Sequence, residues 1–422
     1  MKIIADLQIH SRFSRATSKT INLDNLEKYA RLKGLNLLGT GDITHPLWLK
    51  ELKKELKEDG SGILKSGSGF NFVLQGEVSN IYSQDGRGRR VHNLILAKNF
   101  EIAEQIQEAL KKKGRIDYDG RPIFGFSCPE LVEMMKQIDE KIEIIPAHAW
   151  TPWFSLFGSM SGFDSVEECF KDQARHIYAI ETGLSSDPAM NWRLSQLDKY
   201  TLVSNSDAHS YWPWRLGREA NVFDIDLTYD NLIGAIRKRK NFLYTIEVNP
   251  NYGKYHLDGH RACGVCMEPK ESKKVNKICP KCKRPLTIGV LHRVEELADR
   301  EVGFKPKNAI PFKSLIPLSE ILSFLLNTAV ASKQIWQEYY KLLTNFGNEF
   351  SILLDANKEE LVKVTDEKIA DAIIAVRYGE VKIKPGYDGV YGQLIFDEKA
   401  DSNVAEKAGH SAKSGQKSLS EF

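Results

Sequence analysis

The sequence has no long apolar run, few cysteines and almost no net charge. None of its apolar segments reaches the roughly 20 residues that a transmembrane helix needs, so we expect no membrane span. The chain opens directly on a strand-like stretch, and we therefore expect no signal peptide. The six cysteines, four of them clustered, argue against a disulfide framework and favour a reduced, cytoplasmic compartment. Because the net charge is only +3, any contact with nucleic acid must come from a local patch.

The 422 residues exceed the size of one ordinary core, so we expect two or three domains. A hydrophobic content of 42% and a charged content of 27% are typical of a globular protein. Residues 1–250 alternate strands with helices, whereas residues 251–294 are basic and rich in cysteine. Residues 295–396 are predicted to be mostly helical. Residues 397–422 are rich in Ser, Lys, Ala and Gly, which predicts a flexible tail.

Many predicted strands of the first region end in a side chain that can bind a metal. These residues are His10, Asp42, Glu77, His148, Glu181, Asp207 and His209. Because the strands of an α/β barrel converge on one face, the sequence predicts that these groups meet there. Imidazole and carboxylate ligands together suit two or three divalent ions (zinc, magnesium or manganese), which can generate a hydroxide and neutralise a phosphate oxyanion. Taken singly, each residue has the alternative role of a cap or loop residue.

The order of these motifs points to a known family. They are Gln8-Ile9-His10-Ser11, Thr40-Gly41-Asp42, Glu77, His92, His148 and Ser206-Asp207-Ala208-His209. This series resembles the PHP (polymerase and histidinol phosphatase) family of metal-dependent phosphoesterases over residues 1–245. The resemblance implies an α/β fold, a distorted (β/α) barrel. It also implies three ion sites, held by His10, Glu77 and Asp207, by Glu77, His92 and His148 with Glu77 bridging, and by Asp42 and His209.

Two positions depart from the family pattern. Gln8 stands where the family has a histidine, and Asp42 stands where its second-motif histidine would fall, unless His45 replaces it. Because glutamine is a poor metal ligand, Gln8 would bind weakly or through water, and Glu181 is an equally uncertain ligand. Arg12 and Arg15 follow the first motif and can hold phosphates, or else they are ordinary surface arginines.

A second metal signal lies in the basic segment 251–294. Cys263-x-x-Cys266 is followed after twelve residues by Cys279-x-x-Cys282, a spacing that predicts one structural zinc ion held by four sulfurs. The segment has ten Lys or Arg residues and three Asp or Glu residues. Lysines such as Lys273 and Lys274 therefore suit contact with a nucleic-acid backbone. A solvated charged face is the alternative.

Aromatic side chains follow two of the metal motifs. Trp153 and Trp212 come shortly after His148 and His209, where they can stack on a base flipped from a duplex or pack within their own loops. Residues 381–395 alternate in polarity and are predicted to form a hairpin. Its lysines Lys382 and Lys384 and its three glycines suit a close approach to DNA.

The last residues, Gln416 to Phe422, resemble a binding box for the sliding clamp PCNA. Gln416, Leu419 and Phe422 occupy the glutamine, aliphatic and aromatic positions, although the usual second aromatic is missing. A short tethered turn of this kind gains from high effective concentration.

The order of barrel, basic zinc module and helical region resembles the endonuclease Q family of archaea and a few bacteria. That resemblance, and not composition, implies a metal-dependent endodeoxyribonuclease of DNA repair. The implied reaction is cleavage 5′ to hypoxanthine, uracil, xanthine or an abasic site, with His10, Glu77, His148 and Asp207 as catalytic groups. It implies damaged DNA and the clamp as partners and a nucleoid-associated, cytoplasmic location.

The residues alone support hydrolysis of a phosphoester with the help of metal ions. Two other classes therefore stay open at this point. One is a small-molecule phosphatase of the histidinol-phosphate type, which needs neither a zinc module nor a clamp box. The other is a DNA-binding scaffold without catalysis, which the departures at Gln8 and Asp42 permit.

Overall fold

The computed structural model describes residues 1–395, and residues 1–250 form an α/β barrel. Its strands are β1 Lys2–Asp6, β2 Leu37–Gly39, β3 Lys57–Glu58, β4 Leu64–Lys65, β5 Asn71–Gln84, β6 Arg87–Ala97, β7 Ile123–Phe124, β8 Glu143–Pro146, β9 Ala179–Glu181, β10 Thr201–Val203, β11 Ala220–Asp224 and β12 Phe242–Glu247. Its helices are α1 Leu23–Lys33, α2 Pro46–Glu55, α3 Phe100–Lys111, α4 Cys128–Ile138, α5 Val166–Phe170, α6 Pro188–Asn191 and α7 Tyr229–Lys238. The predicted α/β barrel is confirmed.

The barrel wall mixes parallel and antiparallel pairs. β1 pairs in parallel with β2, and β2 pairs in parallel with β5. The β5–β6 hairpin and the β1–β11–β12 meander are antiparallel, so the barrel is distorted. β8 pairs with β6, and β9 pairs in parallel with β10. A hydrogen bond from Ala149 N to Glu181 O and a bridge between Ile9 and Ala208 tie this last pair to its neighbours.

Side-chain alternation separates the inside of the barrel from its outer layer. Ile3 and Ala5 of β1 share one buried cluster with Leu37, Val73, Ile145, Ala179 and Val203 of the other strands. Ile4 belongs to a second cluster, which the barrel shares with the helices. Because neighbouring residues of a strand face opposite sides, one short apolar run serves both cores.

Local sequence signals set the helix ends. Asn22 caps α1 by accepting from Asn25 N, and Gly34 ends it in the left-handed conformation at φ 98°. A capping box begins α4, with Ser127 and Glu130 each satisfying a backbone donor.

The long β5–β6 hairpin carries two of the predicted ligands, Glu77 and His92. β5 runs to Gln84, and a two-residue turn at Asp85 and Gly86 joins it to β6. Both turn residues have positive φ, 53° and 72°, which suits the right-handed twist of a hairpin. The Asp-Gly pair is the signal that marks this turn.

The cysteine-rich module follows the barrel. Its elements are β13 Asp258–His260, β14 Val265–Met267, α8 Pro269–Lys274 and α9 Val290–Leu297, with short 3-10 turns at Pro250–Tyr252 and Arg261–Cys263. Val265, Cys279 and Leu286 form its small core. A core of this size contributes little stability alone, which fits the need for a metal ion.

The C-terminal region is mostly helical, as predicted. Its elements are β15 Phe312–Ser314, α10 Leu318–Leu325, α11 Lys333–Phe346, α12 Glu349–Leu354, α13 Lys358–Leu361, α14 Glu367–Tyr378, β16 Lys382–Lys384 and β17 Gln393–Ile395. β15 pairs in parallel with β12, so the region starts by extending the barrel sheet. Within residues 1–395, every helix is too short or too polar to cross a bilayer.

A buried ion pair joins the barrel to the C-terminal helices. Lys33 Nζ at the end of α1 donates to Glu349 Oε1 at 2.7 Å and to Pro213 O at 2.8 Å, and both charged side chains are buried. Glu349 also accepts from Leu318 N and from the Tyr339 hydroxyl. The carboxylate therefore ties helices α10, α11 and α12 to one lysine of the barrel.

The predicted C-terminal hairpin is confirmed as the antiparallel pair β16–β17. Two of its three glycines, however, approach this protein's own backbone. A Cβ at Gly386 would lie 2.3 Å from Gly253 O, and one at Gly392 would lie 2.2 Å from Asn251 O. These two glycines therefore let the hairpin dock on the start of the cysteine-rich module, and a close approach to DNA stays a prediction. Lys382 and Lys384 are exposed on β16. The clamp-box residues Gln416, Leu419 and Phe422 lie outside the described residues.

Candidate metal centre at the barrel mouth

Three loops bend sharply where they present side chains to the barrel mouth. Asp42, His148 and Asp207 have φ values of 43°, 32° and 48°. Residues other than glycine rarely adopt this left-handed conformation, which costs about 1–3 kcal/mol for each residue. The bends bring the three side chains to the barrel mouth from the loops that follow β2, β8 and β10.

The first group of ligand atoms surrounds His10. His10 Nε2 lies 3.0 Å from Glu77 Oε2 and 3.1 Å from Asp207 Oδ1. Ligand atoms of His10, Asp207 and His209 all lie within 4.8 Å of one another. The structure thus brings His209 to this group, where the resemblance had assigned it to a third ion with Asp42.

The second group surrounds the other oxygen of Glu77. Glu77 Oε1 lies 2.8 Å from His92 Nδ1 and 3.7 Å from His148 Nε2. Ligand atoms of these three residues also lie within 4.8 Å of one another. Glu77 stands between the two groups, in the bridging position that the resemblance implied.

The donor set fits divalent ions. His10 Nε2 and Asp207 Oδ1 are buried and 3.1 Å apart, yet within the described residues neither atom makes a hydrogen bond of acceptable geometry. Buried polar atoms normally have a hydrogen-bond partner. A cation bound between these two atoms would supply the interaction that each of them needs. Both are ligand types that zinc and manganese accept.

Electrostatics keep the carboxylates ionised. Burial raises the pKa of Glu77, but Arg121 and His92 outweigh it and hold that pKa well below its usual range. The pKa of Asp207 is lowered in the same way by His209 and His10, against the effect of burial. Both carboxylates are therefore charged at neutral pH, the form that binds cations.

Two of the three histidines that contact Glu77, His92 and His10, differ in their pKa shifts. Burial and the charge of Arg121 lower the pKa of His92 to about 3, so its ring is neutral at physiological pH. Burial also lowers the pKa of His10, but Asp42, Asp207 and Glu77 outweigh it and raise that pKa well above the usual value. A cation that binds His10 must therefore displace a proton.

Asp42 does not fit the predicted role of a third-ion ligand. Its Oδ1 lies 2.9 Å from His10 Nδ1, and its Oδ2 accepts from Ser11 N and Oγ at 2.6 Å and from Ser14 Oγ at 2.9 Å. Because both oxygens are already used, Asp42 orients the His10 ring and fixes its tautomer. We therefore assign it as a positioning residue.

Glu181 also serves as a partner of the centre and does not join either group. Its Oε2 accepts from His148 N at 2.6 Å, and its Oε1 accepts from Asn205 Nδ2 at 2.7 Å. Burial raises the pKa of Glu181 to about 8. The side chain ties the His148 loop to the loop that carries Asp207, and its assignment as an uncertain ligand stays a prediction.

Gln8 lies beside the centre in the place of the family's histidine. Its Nε2 donates to Glu77 Oε2 at 3.0 Å, and its buried Oε1 has no hydrogen-bond partner within residues 1–395. The amide therefore supports the bridging carboxylate directly. His45 belongs to neither ligand group, and its ring stacks on Phe13 with centroids 4.2 Å apart.

The two arginines after the first motif have different surroundings. Both terminal nitrogens of Arg12 pair with the carboxylate of Glu51, and Nη1 also donates to Ile21 O. Arg12 is therefore engaged within the barrel, which does not fit a direct role in DNA binding. Arg15 is 71% exposed and reaches Asp119 at 3.2 Å, so it stays available at the rim.

Sequence reasoning missed two residues of the centre. Asp6 at the end of β1 accepts from Ser206 N and Oγ and from Gly217 N, and so holds the loop that carries Asp207. Arg121 reaches Glu77 Oε1 with its Nη1 at 3.4 Å. Asp6 lies two residues before the first motif, which was a usable signal, whereas Arg121 belongs to no motif.

The overall similarity to solved structures decides the family. One is described as the novel lesion-specific endonuclease PfuEndoQ from Pyrococcus furiosus. It is 34% identical with a TM-score of 0.85, and the match covers 97% of this chain and 99% of that one. A second is endonuclease Q in complex with a 27-mer duplex substrate with an abasic lesion at the active site, 34% identical with a TM-score of 0.86, over 94% and 98% of the two chains. The chain belongs to the endonuclease Q family.

The chain is also similar in sequence to two uncharacterised proteins. The uncharacterised protein YqxK of Bacillus subtilis is 30% identical over 414 residues, which cover 93% of this chain and 99% of YqxK. The uncharacterised protein MJ0043 of Methanocaldococcus jannaschii is 36% identical over 258 residues, or 59% of this chain. The chain spans only 31% of the length of MJ0043. Residues 317–380 match the MJ0043 C-terminal domain family.

The zinc module of this endonuclease Q member has a ligand group that differs from the prediction. Ligand atoms of His260, Cys263, Cys279 and Cys282 lie within 4.8 Å of one another, and Cys266 lies outside this group. His260 Nδ1 is 3.3 Å from Cys282 Sγ. A zinc site with three sulfurs and one imidazole is chemically ordinary.

Strand geometry explains why Cys266 is excluded. Its neighbours on β14, Val265 and Met267, face the small core with Cys279. Because consecutive residues on a strand face opposite sides, Cys266 points away from that core and is exposed. The two-residue spacing of the cysteines does not show which face of the strand each of them occupies.

Aromatic side chains of this endonuclease Q member connect its domains. Trp212 stacks on Trp214 with centroids 5.2 Å apart and contacts Tyr29 of α1 and Trp336 of α11. Packing between barrel and C-terminal helices is thus the role that fits Trp212. Trp153 is half-buried and meets the Tyr255 ring edge-on at 5.8 Å. Lys273 and Lys274 are exposed at the end of α8.

Proposed function

We propose that this chain is a DNA repair endonuclease that hydrolyses the phosphodiester on the 5′ side of a deaminated base or an abasic site. The observation that carries the proposal is a buried centre in which His10 Nε2 and Asp207 Oδ1 lie 3.1 Å apart without a hydrogen bond, beside an ionised Glu77. That centre lies in a fold shared over 97% of this chain with a lesion-specific endonuclease. The phosphatase and scaffold alternatives are not favoured by these similarities.

Each part of the centre has a chemical task in this reaction. Two ions, held by His10, Asp207 and His209 and by Glu77, His92 and His148, would supply a hydroxide nucleophile and charge to offset the phosphoryl oxygens. Asp42 keeps the His10 ring oriented, and Gln8 steadies the Glu77 carboxylate. Zinc, magnesium and manganese are the candidate ions of the barrel. Zinc is the candidate in the cysteine-rich module.

The proposal is tested first with end-labelled duplexes that carry one uracil, one hypoxanthine or one abasic site, with magnesium or manganese present. We expect a single nick immediately 5′ of the lesion and none in the undamaged duplex. Release of phosphate from a small phosphomonoester without nicking would favour the phosphatase instead. Zinc in the cysteine-rich module together with an inactive protein would favour the scaffold.

A substitution separates catalysis from binding. Asp207→Asn keeps the size of the side chain but removes its negative charge, so nicking should fall below detection while affinity for the abasic duplex persists. The exposed Asp172, on the 3-10 helix Lys171–His176, gives a matched control as Asp172→Asn. Nicking at the full rate by the Asp207 variant would contradict the assigned role.

We also propose that the tail engages a sliding clamp and that the protein works in the cytoplasm on nucleoid DNA. The support is the sequence of Gln416, Leu419 and Phe422 at the end of a polar tail. Removal of residues 415–422 should abolish co-elution with the clamp and leave basal nicking unchanged. Retained clamp binding by the truncated chain would refute this part of the proposal.

A further inference from the structure

Arg121 reaches into the centre from a loop that the motifs do not include. It lies between α3 and β7, and its side chain is 23% exposed. Its Nη1 is 3.4 Å from Glu77 Oε1, longer than the 2.7–2.9 Å typical of a charge-assisted hydrogen bond. Glu77 Oε1 has a nearer partner in His92 Nδ1 at 2.8 Å. The contact with Glu77 therefore positions the guanidinium and leaves its other N–H groups available for hydrogen bonds.

The loop that carries Arg121 is held rigidly against the barrel. Gly120 N donates to Phe13 O, and Gly120 O accepts from Thr44 Oγ1 at 2.8 Å. On the other side, Pro122 O accepts from Ser79 N. Such anchoring on both sides fixes where the guanidinium stands relative to the centre, which is what precise positioning of a substrate group requires.

A glycine makes this close approach possible. A Cβ at Gly120 would lie 2.2 Å from Asp42 Oδ2 and 2.3 Å from Ser14 Oγ. The backbone before Arg121 thus presses directly on the carboxylate that orients His10. The loop that carries Arg121 therefore packs against Asp42, which in turn contacts His10.

The hydrogen-bonding capacity of Arg121 is mostly unused. Within residues 1–395, its guanidinium donates one side-chain hydrogen bond, the long one to Glu77, whereas five N–H groups are available. Its backbone N donates to Asp119 Oδ1, which also binds Arg15. A half-buried, fork-shaped cation with free donors at the edge of a metal centre suits two oxygens of one phosphate.

We propose that Arg121 binds a non-bridging oxygen of the scissile phosphate and stabilises the negative charge that develops there in the transition state. This inference rests on the proposed function. Interactions that strengthen only as charge develops raise the rate of the chemical step more than the affinity for substrate. Arg121 should therefore affect the cleavage rate and leave the affinity for DNA nearly unchanged.

The test compares Arg121→Ala and Arg121→Lys with the wild type in single-turnover nicking of an abasic duplex. We expect the alanine variant to cleave roughly 100-fold more slowly, as for loss of one preorganised donor. The lysine variant should recover part of that loss, because it keeps the charge without the fork. Affinity for the duplex should change less than about threefold, since one of many phosphate contacts is removed. Millimolar guanidinium should accelerate Arg121→Ala but not His10→Ala.

Metal content and a matched arginine complete the design. Arg115, which is 73% exposed and paired with Asp117 in the same loop, serves as the control Arg115→Ala and should keep the wild-type rate. The metal content of Arg121→Ala should equal that of the wild type. Cleavage within about threefold of the wild type would overturn the inference, as would a loss of bound metal that lysine does not restore. No nicking by the wild type would overturn the proposed function as well.

Discussion

At the scale of residues, the centre depends on side chains that touch its ligands as much as on the ligands themselves. Asp42 lies 2.9 Å from His10 Nδ1, and Glu181 holds His148 through its backbone N. Asp6 holds the Asp207 loop in place by accepting a hydrogen bond from Ser206 N. Such partners fix ring orientation and tautomer, and their loss usually lowers metal affinity or activity by about 10–100-fold.

The substitution Asp42→Asn distinguishes positioning from ligation. As a positioning residue, Asp42 should affect metal affinity and nicking by roughly 10–100-fold while the number of ions bound at saturation stays the same. Titration calorimetry with the nicking assay measures both quantities. The exposed Asp24→Asn on α1 is the matched control. Loss of one whole metal equivalent in Asp42→Asn would reinstate it as a ligand.

The residues that sequence could identify at this scale are those in motifs. His10, His148 and Asp207 follow strand ends, whereas Glu77 and His92 lie within the β5–β6 hairpin, and the barrel brings all five together. Arg121 could not be found in this way, because its place depends on how Gly120 packs against Asp42, 78 residues earlier in the chain. Contacts of that range arise only from the complete fold.

At the scale of elements, the cysteine-rich module shows that the spacing of its cysteines does not determine which of them can bind a metal. Two CxxC pairs mark the region where four possible metal ligands converge, but the face of β14 decides which side chains belong to that group. Cys266 faces outward on β14, and His260 at the end of β13 takes its position. Strand pairing between β13 and β14 therefore determines the ligand set.

Zinc content of cysteine variants tests this ligand set. Cys279→Ser should lose one zinc equivalent per chain, because its sulfur belongs to the group and is buried in the module core. Cys266→Ser should keep that equivalent and so serves as the matched control. The measurement is elemental analysis of purified full-length protein after dialysis. A loss of zinc in Cys266→Ser, with none in His260→Ala, would contradict the assignment.

Helix ends and hairpin turns were more accessible to prediction. The caps of α1 and α4 follow from Asn22, Gly34 and the pair Ser127 and Glu130, since local hydrogen bonds decide them. The pairing of β15 with β12 was not predicted, because three residues of an irregular segment carry no periodic signal.

At the scale of the whole molecule, the barrel and the C-terminal helices share one buried interface. The pair Lys33–Glu349 lies within it, and the same interface contains the aromatic cluster of Tyr29, Trp212 and Trp336. Removal of one partner from a buried ion pair leaves an uncompensated charge and lowers stability by about 3–5 kcal/mol.

Lys33→Met should therefore lower the free energy of unfolding by about that amount. The double variant Lys33→Met with Glu349→Gln should be less destabilised than the single one, because no buried charge remains. Urea denaturation followed by tryptophan fluorescence measures both. Lys53, which pairs with Glu104 on the surface, provides the control Lys53→Met, with an expected change below about 1 kcal/mol. Wild-type stability of Lys33→Met would show that the pair contributes nothing.

The left-handed backbone at Asp42, His148 and Asp207 has a consequence for local dynamics. Strained segments persist only where their surroundings hold them, and bound cations would be part of those surroundings. Chelation should therefore release the loops at residues 40–45, 147–151 and 205–209 before it affects the sheet. Amide hydrogen exchange would become faster in those three loops, while the amides of β1 and β5 keep their protection.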